Sequence, residues 1–303
     1  MPHLIVPPIA LTAFSNGGGQ ESVGLFHMFR RNDFNFKERW ARGDTTHAMI
    51  DTGGEHPHTY ETVEDIQVSA NKSGIEFWFI QPSMGFHTPA WLSLDQHYDR
   101  DQTIGSVTFS RRSCTDNLKI RPFYRFLEWY LSHYYKRPYV GNKQTIVQFA
   151  EEYGKIKVVI GFAKGEEKRV SKGDKDPVWM QRSIEKIYPL IELGFTRKMT
   201  QEYLHSIGEK VPFPSNCMKC HYTSDPELMW LIRFYPYVME RWIQQEAAKL
   251  ERFAHLGSKN LGVYGKTLLP QKMLEVIRDY GHLTDEELTQ RKMTHGHCVM
   301  NSY

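Results

Sequence analysis

The sequence predicts an α/β fold, a mostly parallel sheet with flanking helices and a helical C-terminal region, and three observations predict it. Short apolar runs alternate with segments of helical periodicity within residues 1–200. A glycine triplet joins the first run to the first helical segment, and apolar residues at helical spacing dominate after residue 225. Strands that alternate with helices imply right-handed crossovers, and those make a sheet parallel.

Residues 9–14 (IALTAF) read as the first strand, Gly17-Gly18-Gly19 as a tight loop, and residues 23–29 as the start of a helix. Residues 46–50 (THAMI) form a second strand, Asp51-Thr52-Gly53-Gly54 a turn, and residues 59–68 a helix. Residues 74–80 (GIEFWFI) and 157–162 (KVVIGF) read as the third and fourth strands, and the charged run 164–177 as an exposed loop that can act as a lid. Asp225-Pro226 has the form of an N-cap with proline at the first helical position. Leu228, Leu231, Ile232, Tyr235, Val238, Met239, Trp242 and Ile243 follow at helical spacing, with a kink expected at Pro236. The expected division is an α/β domain over residues 1–200 and a helical, cysteine-bearing region over 201–303.

A 303-residue chain that is 40% hydrophobic and 13% aromatic can bury a sizeable core, which excludes a disordered chain. A net charge of +3 is too small by itself to argue for nucleic acid or a membrane as partner. Residues 1–8 lack the basic start and long apolar run of a signal peptide, and no stretch approaches a membrane span, so a cytoplasmic location is expected. Such a compartment disfavours disulfides. That leaves metal binding, redox chemistry or simple burial for Cys114, Cys217, Cys220 and Cys298.

Three glycines between a strand and a helix let backbone N–H groups approach an anion, and the helix N-terminus adds partial positive charge. The loop has neither the Gly-Lys-Ser/Thr ending of a Walker A motif nor the spacing of the dinucleotide fingerprint. Ser15-Asn16-Gly17-Gly18-Gly19-Gln20-Glu21-Ser22 instead resembles the PP-loop of N-type ATP pyrophosphatases, nearest to relatives of phosphoadenosine phosphosulfate (PAPS) reductase, with Glu21 where Asp is usual and Asn16 an unusual neighbour. Further segments match in family order. They are Asp51-Thr52-Gly53 with Thr59-Tyr60, Arg111-Arg112-Ser113-Cys114-Thr115 with Lys119-Ile120 and Pro122, Gly161-Phe162 leading to Arg169, Gly194-Phe195-Thr196, and Pro212 to Cys220.

The resemblance implies an adenine nucleotide, ATP or else PAPS or its unphosphorylated analogue APS, held by Ser15, Gly17, Gly18, Gly19, Gln20, Ser22, Thr52, Gly53, Arg111 and Arg112. It implies Mg²⁺ near Glu21 and Asp51, with Lys119 and Arg169 offsetting charge in the transition state. Glu21 is equally a favourable acid in a first helical turn, and Asp51 equally a turn former. The relatives nearest in pattern, including the ATP-using subunit of DNA phosphorothioation, hold a 4Fe-4S cluster. The resemblance thus implies cluster ligands at Cys114, Cys217, Cys220 and Cys298, with Zn²⁺ as the alternative.

Between residues 111 and 143, eight basic residues face two acidic ones and are interleaved with Phe123, Tyr124, Trp129, Tyr130, Tyr134, Tyr135 and Tyr139. That pattern suits DNA or RNA, while the same rings at helical spacing also suit a core. The expected activity is adenylation of a substrate, with nucleic acid as acceptor, releasing pyrophosphate ahead of sulfur insertion and drawing on a sulfur or electron donor protein. Two alternatives stand beside it: a sulfonucleotide reductase with Cys298 as nucleophile, and a nucleic-acid-binding protein without catalysis.

Overall fold

The structure is a computed structural model that describes residues 11–108 and 113–295. Five strands, β1 (Leu11–Asn16), β2 (Asp44–Ile50), β3 (Phe77–Ile80), β4 (Ile156–Ile160) and β5 (Ile184–Ile187), form one sheet in the order β3-β2-β1-β4-β5. Every pairing is parallel, and Ser15 in the central strand lies opposite Ala48 on one side and Ile160 on the other. The α/β class is therefore as the sequence predicts. The fifth strand, IEKI, is an addition: four residues with two charged ones at their centre carry too little apolar signal to stand out.

Strand side chains alternate between two cores, as the period of two requires. Leu11, Ala13, Ala48 and Ile50 pack with Phe126, Leu127 and Phe149 from the helices α4 (Arg121–Tyr134) and α5 (Gln144–Tyr153). Phe14 and Val159 on the opposite face pack with Leu25, Met28 and Phe29 of α1 (Gln20–Arg31). That helix has Glu21 in its first turn and Arg30 and Arg31 in its last, complementing its dipole. It ends at a left-handed Asn32, whose N–H bonds the carbonyls of Met28 and Phe29.

His47 lies inside this second core, stacked on Phe14 at 3.9 Å, and neither ring nitrogen has a hydrogen-bond partner among the described residues. Burial holds its pKa down from 6.5 to about 3. The folded protein therefore keeps His47 neutral while the unfolded chain takes up a proton below pH 6.5, so stability present above that pH is lost as the pH falls toward 3. Buried His27 and half-buried His58 are lowered to about 4 and about 3 and act with the same sign. In urea unfolding, a His47→Leu variant should lose about 2 kcal/mol less than the wild type between pH 6.5 and pH 5. An identical loss in both proteins would refute the assignment.

The C-terminal region holds α7 (Asp225–Phe234), α8 (Pro236–Phe253), α9 (Leu269–Tyr280) and α10 (Asp285–His295), after α6 (Arg197–Ser206). Pro236 does more than kink a helix. It begins a new one, because Tyr235 before it is turned out of the helical region at φ −135°, ψ 55°. The N-cap is Ser224, one residue earlier than the sequence suggests, with Asp225 and Pro226 in the first turn. Leu228, Leu231, Trp242, Val276 and Leu288 share a core with Leu94, Tyr98, Ile104 and Leu118, so the first part of the segment between β3 and β4, including α3 (Leu94–Asp101), packs into the helical region, while α4 and α5 pack on the sheet. The helix α2 (Pro57–Lys72) follows β2. Among the described residues no helix is long and apolar enough to cross a membrane.

Candidate functional site

The chain leaves β1 toward β2 on one side and meets β4 on the other, so the crevice beyond the carboxyl ends of β1 and β4 is the sheet's switch point. The glycine loop fills it. Gly18 has φ +67°, and a Cβ there would stand 2.9 Å from Met49 Cε and from Thr59 Cγ2. A Cβ on Gly19 would stand 2.8 Å from Ser215 Oγ, and one on Gly161, just past β4, would stand 3.1 Å from the Ser22 nitrogen. Glycine at these positions lets the loop, the start of α1 and the end of β4 pack against one another. Ser22 Oγ donates to the Gly19 carbonyl at 2.9 Å.

The cleft above the loop is lined by Ser15, Gly17, Gly19, Glu21 and Ser22, by Gly161 and Phe162, by Pro214 and Ser215, and by three cations, Lys119, Arg169 and Arg197. Arg197 Nε donates to Glu21 Oε1 at 2.6 Å. Its Nη2 is 3.8 Å from Glu166 Oε1, which also takes Arg169 Nη1 at 2.5 Å. The Arg169 guanidinium lies over the Phe162 ring, 4.2 Å from its centroid. Lys119 Nζ is 3.0 Å from the buried Glu55 Oε1. Each of the three cations is thus paired with a carboxylate, and among the described residues Glu21 is the one carboxylate that lines the cleft beside them. This balance of the lining suits an anion.

The other expected nucleotide residues lie elsewhere. Gln20 is fully buried, its Nε2 donating to the Pro212 carbonyl at 2.9 Å and its Oε1 accepting from Gln201, and it does not line the cleft. Asp51 closes its own turn, accepting from Gly53 N at 2.7 Å and from the Tyr60 hydroxyl at 2.9 Å, and does not line the cleft. Gly53, at φ +62°, lies against Ser93. Arg111, Arg112 and Cys298 lie outside the described residues.

Thr52 belongs to a second cavity of about 40 Å³, lined also by Cys114, Cys217, Cys220 and Lys119. Lys119 thus borders both sites. Thr52 Oγ1 donates to Glu55 Oε1 at 3.1 Å, and the Cys217 thiol lies 3.8 Å from the same oxygen. Burial first, then the Glu55 charge, pushes the Cys217 thiol well above its ordinary range, while Lys119 opposes them. None of the three cysteines is disulfide-bonded. As the side chains stand, no three His, Cys, Asp or Glu among the described residues are arranged to hold a metal ion. Three soft donors around one cavity still fit thiolate ligation by their chemistry, with loss of the Cys217 proton as part of binding.

Sequence reasoning gave no role to Arg197, Ser215 or Glu55, although Ser215 falls within the matched segment Pro212 to Cys220. Arg197 left a physical trace: with Lys198 it opens α6, where the helix dipole disfavours cations, and its side chain is directed instead to Glu21. Of the aromatic run, Phe123, Tyr124 and Tyr130 are buried in the core, whereas Tyr134 and Tyr139 are exposed. No protein-family model matches the chain, and no curated protein matches it.

Proposed function

We propose that the chain is a PP-loop ATP pyrophosphatase of PAPS reductase-like type, which transfers the adenylyl group of ATP to an oxygen of an acceptor, with nucleic acid as the acceptor class. The observation that carries this reading is the convergence of the glycine loop, the N-terminus of α1 and three cationic side chains on one cleft at the sheet's switch point. The acceptor oxygen attacks the α-phosphorus, the bond from that phosphorus to the bridging oxygen breaks, and pyrophosphate leaves with the bonding electrons. A hydroxyl acceptor also gives up its proton. Loop amides and Lys119, Arg169 and Arg197 would meet the charge that builds on the phosphate oxygens. Bound Mg²⁺ would neutralise phosphate charge. Glu21 is the one protein carboxylate in the described lining to help hold it, and Arg197 orients that carboxylate.

We assign Cys114, Cys217 and Cys220 to a thiolate-held group, with Cys298 as the fourth ligand, a 4Fe-4S cluster first and Zn²⁺ second. Such a cluster would supply electron transfer or sulfur chemistry after adenylation, with a donor protein as partner. One preparation tests both assignments. Anaerobically purified protein should release pyrophosphate from ATP in the presence of oligonucleotide and contain stoichiometric iron or zinc. Failure to bind ATP would remove the adenylation reading, and absence of both metals would remove the second assignment.

A further inference from the structure

A groove of about 840 Å³ runs along α4, apart from both the phosphate cleft and the cysteine cavity. Its walls alternate flat rings with charge. Arg121, Arg125 and Trp129 recur four residues apart on one face of α4, and Tyr139, Lys143 and Trp179 close the other side. Arg121 is paired only at the surface, with Asp116 at 2.7 Å, where a phosphate can compete for it. Arg125 donates to the Phe86 carbonyl at 3.3 Å, and no carboxylate among the described residues pairs it.

Inside the groove stands Glu128, 1% exposed. Its Oε2 takes Lys143 Nζ at 3.3 Å, while Oε1 is buried with no hydrogen-bond partner among the described residues. An unmet carboxylate oxygen is costly, so a donor that enters the groove and reaches it is favoured. Rings to stack on, cations for phosphate and one buried acceptor together define a nucleotide unit whose base carries an amino group.

We infer that this groove receives an unstacked, amino-bearing base of a single-stranded nucleic acid. The ring stacks on the aromatic side chains, the amino N–H is donated to Glu128, and Arg121 and Arg125 meet the flanking phosphates. The groove and the phosphate cleft share a wall: Lys119 borders the cleft, while Ile120 and Arg121, the next two residues, border the groove. The turn that splits them is a π-helical stretch, Asp116–Ile120. As the acceptor's seat, the groove rests on the adenylation reading, but strand binding needs no ATP, so failure of one and failure of the other are separate results.

The test is fluorescence anisotropy of dye-labelled strands of about ten nucleotides, with the full chain and without ATP. Oligo-dC is expected to bind at least about fivefold more tightly than oligo-dT. Glu128→Gln should remove that preference. Tyr139→Ala, at a position 60% exposed, and Arg121→Ala, also at the surface, leave the core untouched. Each should weaken oligo-dC binding, the first by about tenfold and the second with a shallower salt dependence. No binding by the wild type, undiminished binding of a strand with abasic sites, CMP bound as tightly as oligo-dC, or unchanged affinity in both surface variants would each overturn the inference.

Discussion

Gly18→Ala is expected to weaken ATP binding and to slow pyrophosphate release by on the order of 10²-fold, while Gly17→Ala leaves both near wild type. At Gly18 the backbone is left-handed, φ +67°, which costs an alanine roughly 1–2 kcal/mol. The added methyl would also sit 2.9 Å from Met49 Cε and from Thr59 Cγ2. Met49 can swing its terminal methyl aside. Thr59 is β-branched, fully buried and fixed in the first turn of α2, so the loop itself must retreat. A retreat of about 1 Å takes the amides out of line with the phosphates and costs on the order of 10²-fold in rate. At Gly17 a Cβ meets nothing nearer than Ser215 Oγ at 3.7 Å, so the same chemical change fits. Calorimetric titration with ATP and a pyrophosphate assay separate the two variants. Wild-type ATP affinity in Gly18→Ala would mean that the loop does not cradle phosphate.

The contrast shows what the sequence makes legible. A glycine triplet between an apolar run and a helical segment is a local signal, and the strand, loop and helix of residues 11–31 could be read from it. The cleft's cations are not local. Glu21 and Arg197 are 176 residues apart, and nothing near Arg197 states that its helix begins beside the glycine loop. Asp51 and Gln20 were legible as positions but not as orientations: the first turns to Gly53 and Tyr60, the second into the core. The aromatic run is ambiguous for a related reason. On α4 the row with Phe126, Leu127 and Tyr130 packs on the sheet, and the row with Arg121, Arg125 and Trp129 borders the groove. A period of 3.6 is satisfied by both rows, and only the sheet decides which one is buried.

Lys292→Met is expected to lower the unfolding free energy by about 3–5 kcal/mol, as removal of one partner from a buried ion pair does. Lys292 is 1% exposed, with Nζ 2.5 Å from Asn216 Oδ1 and 2.9 Å from Glu227 Oε1. Burial pushes the ammonium pKa down and the Glu227 charge pushes it back up. Methionine fills the same space but leaves Glu227 charged, buried and short of its strongest donor. The double variant Lys292→Met/Glu227→Gln should recover most of the loss, because it removes both charges together. The consequence reaches the site. Asn216 lies between Ser215, which lines the phosphate cleft, and Cys217, which lines the cysteine cavity, so the ion pair from α10 fixes the segment that shapes both. Urea unfolding gives the stability term, and ATP affinity of the folded single variant gives the positional one. A variant as stable as the wild type would mean that the pair contributes nothing net. A destabilised variant with unchanged ATP affinity would show that the glycine loop alone, without the 214–217 segment, sets the phosphate site.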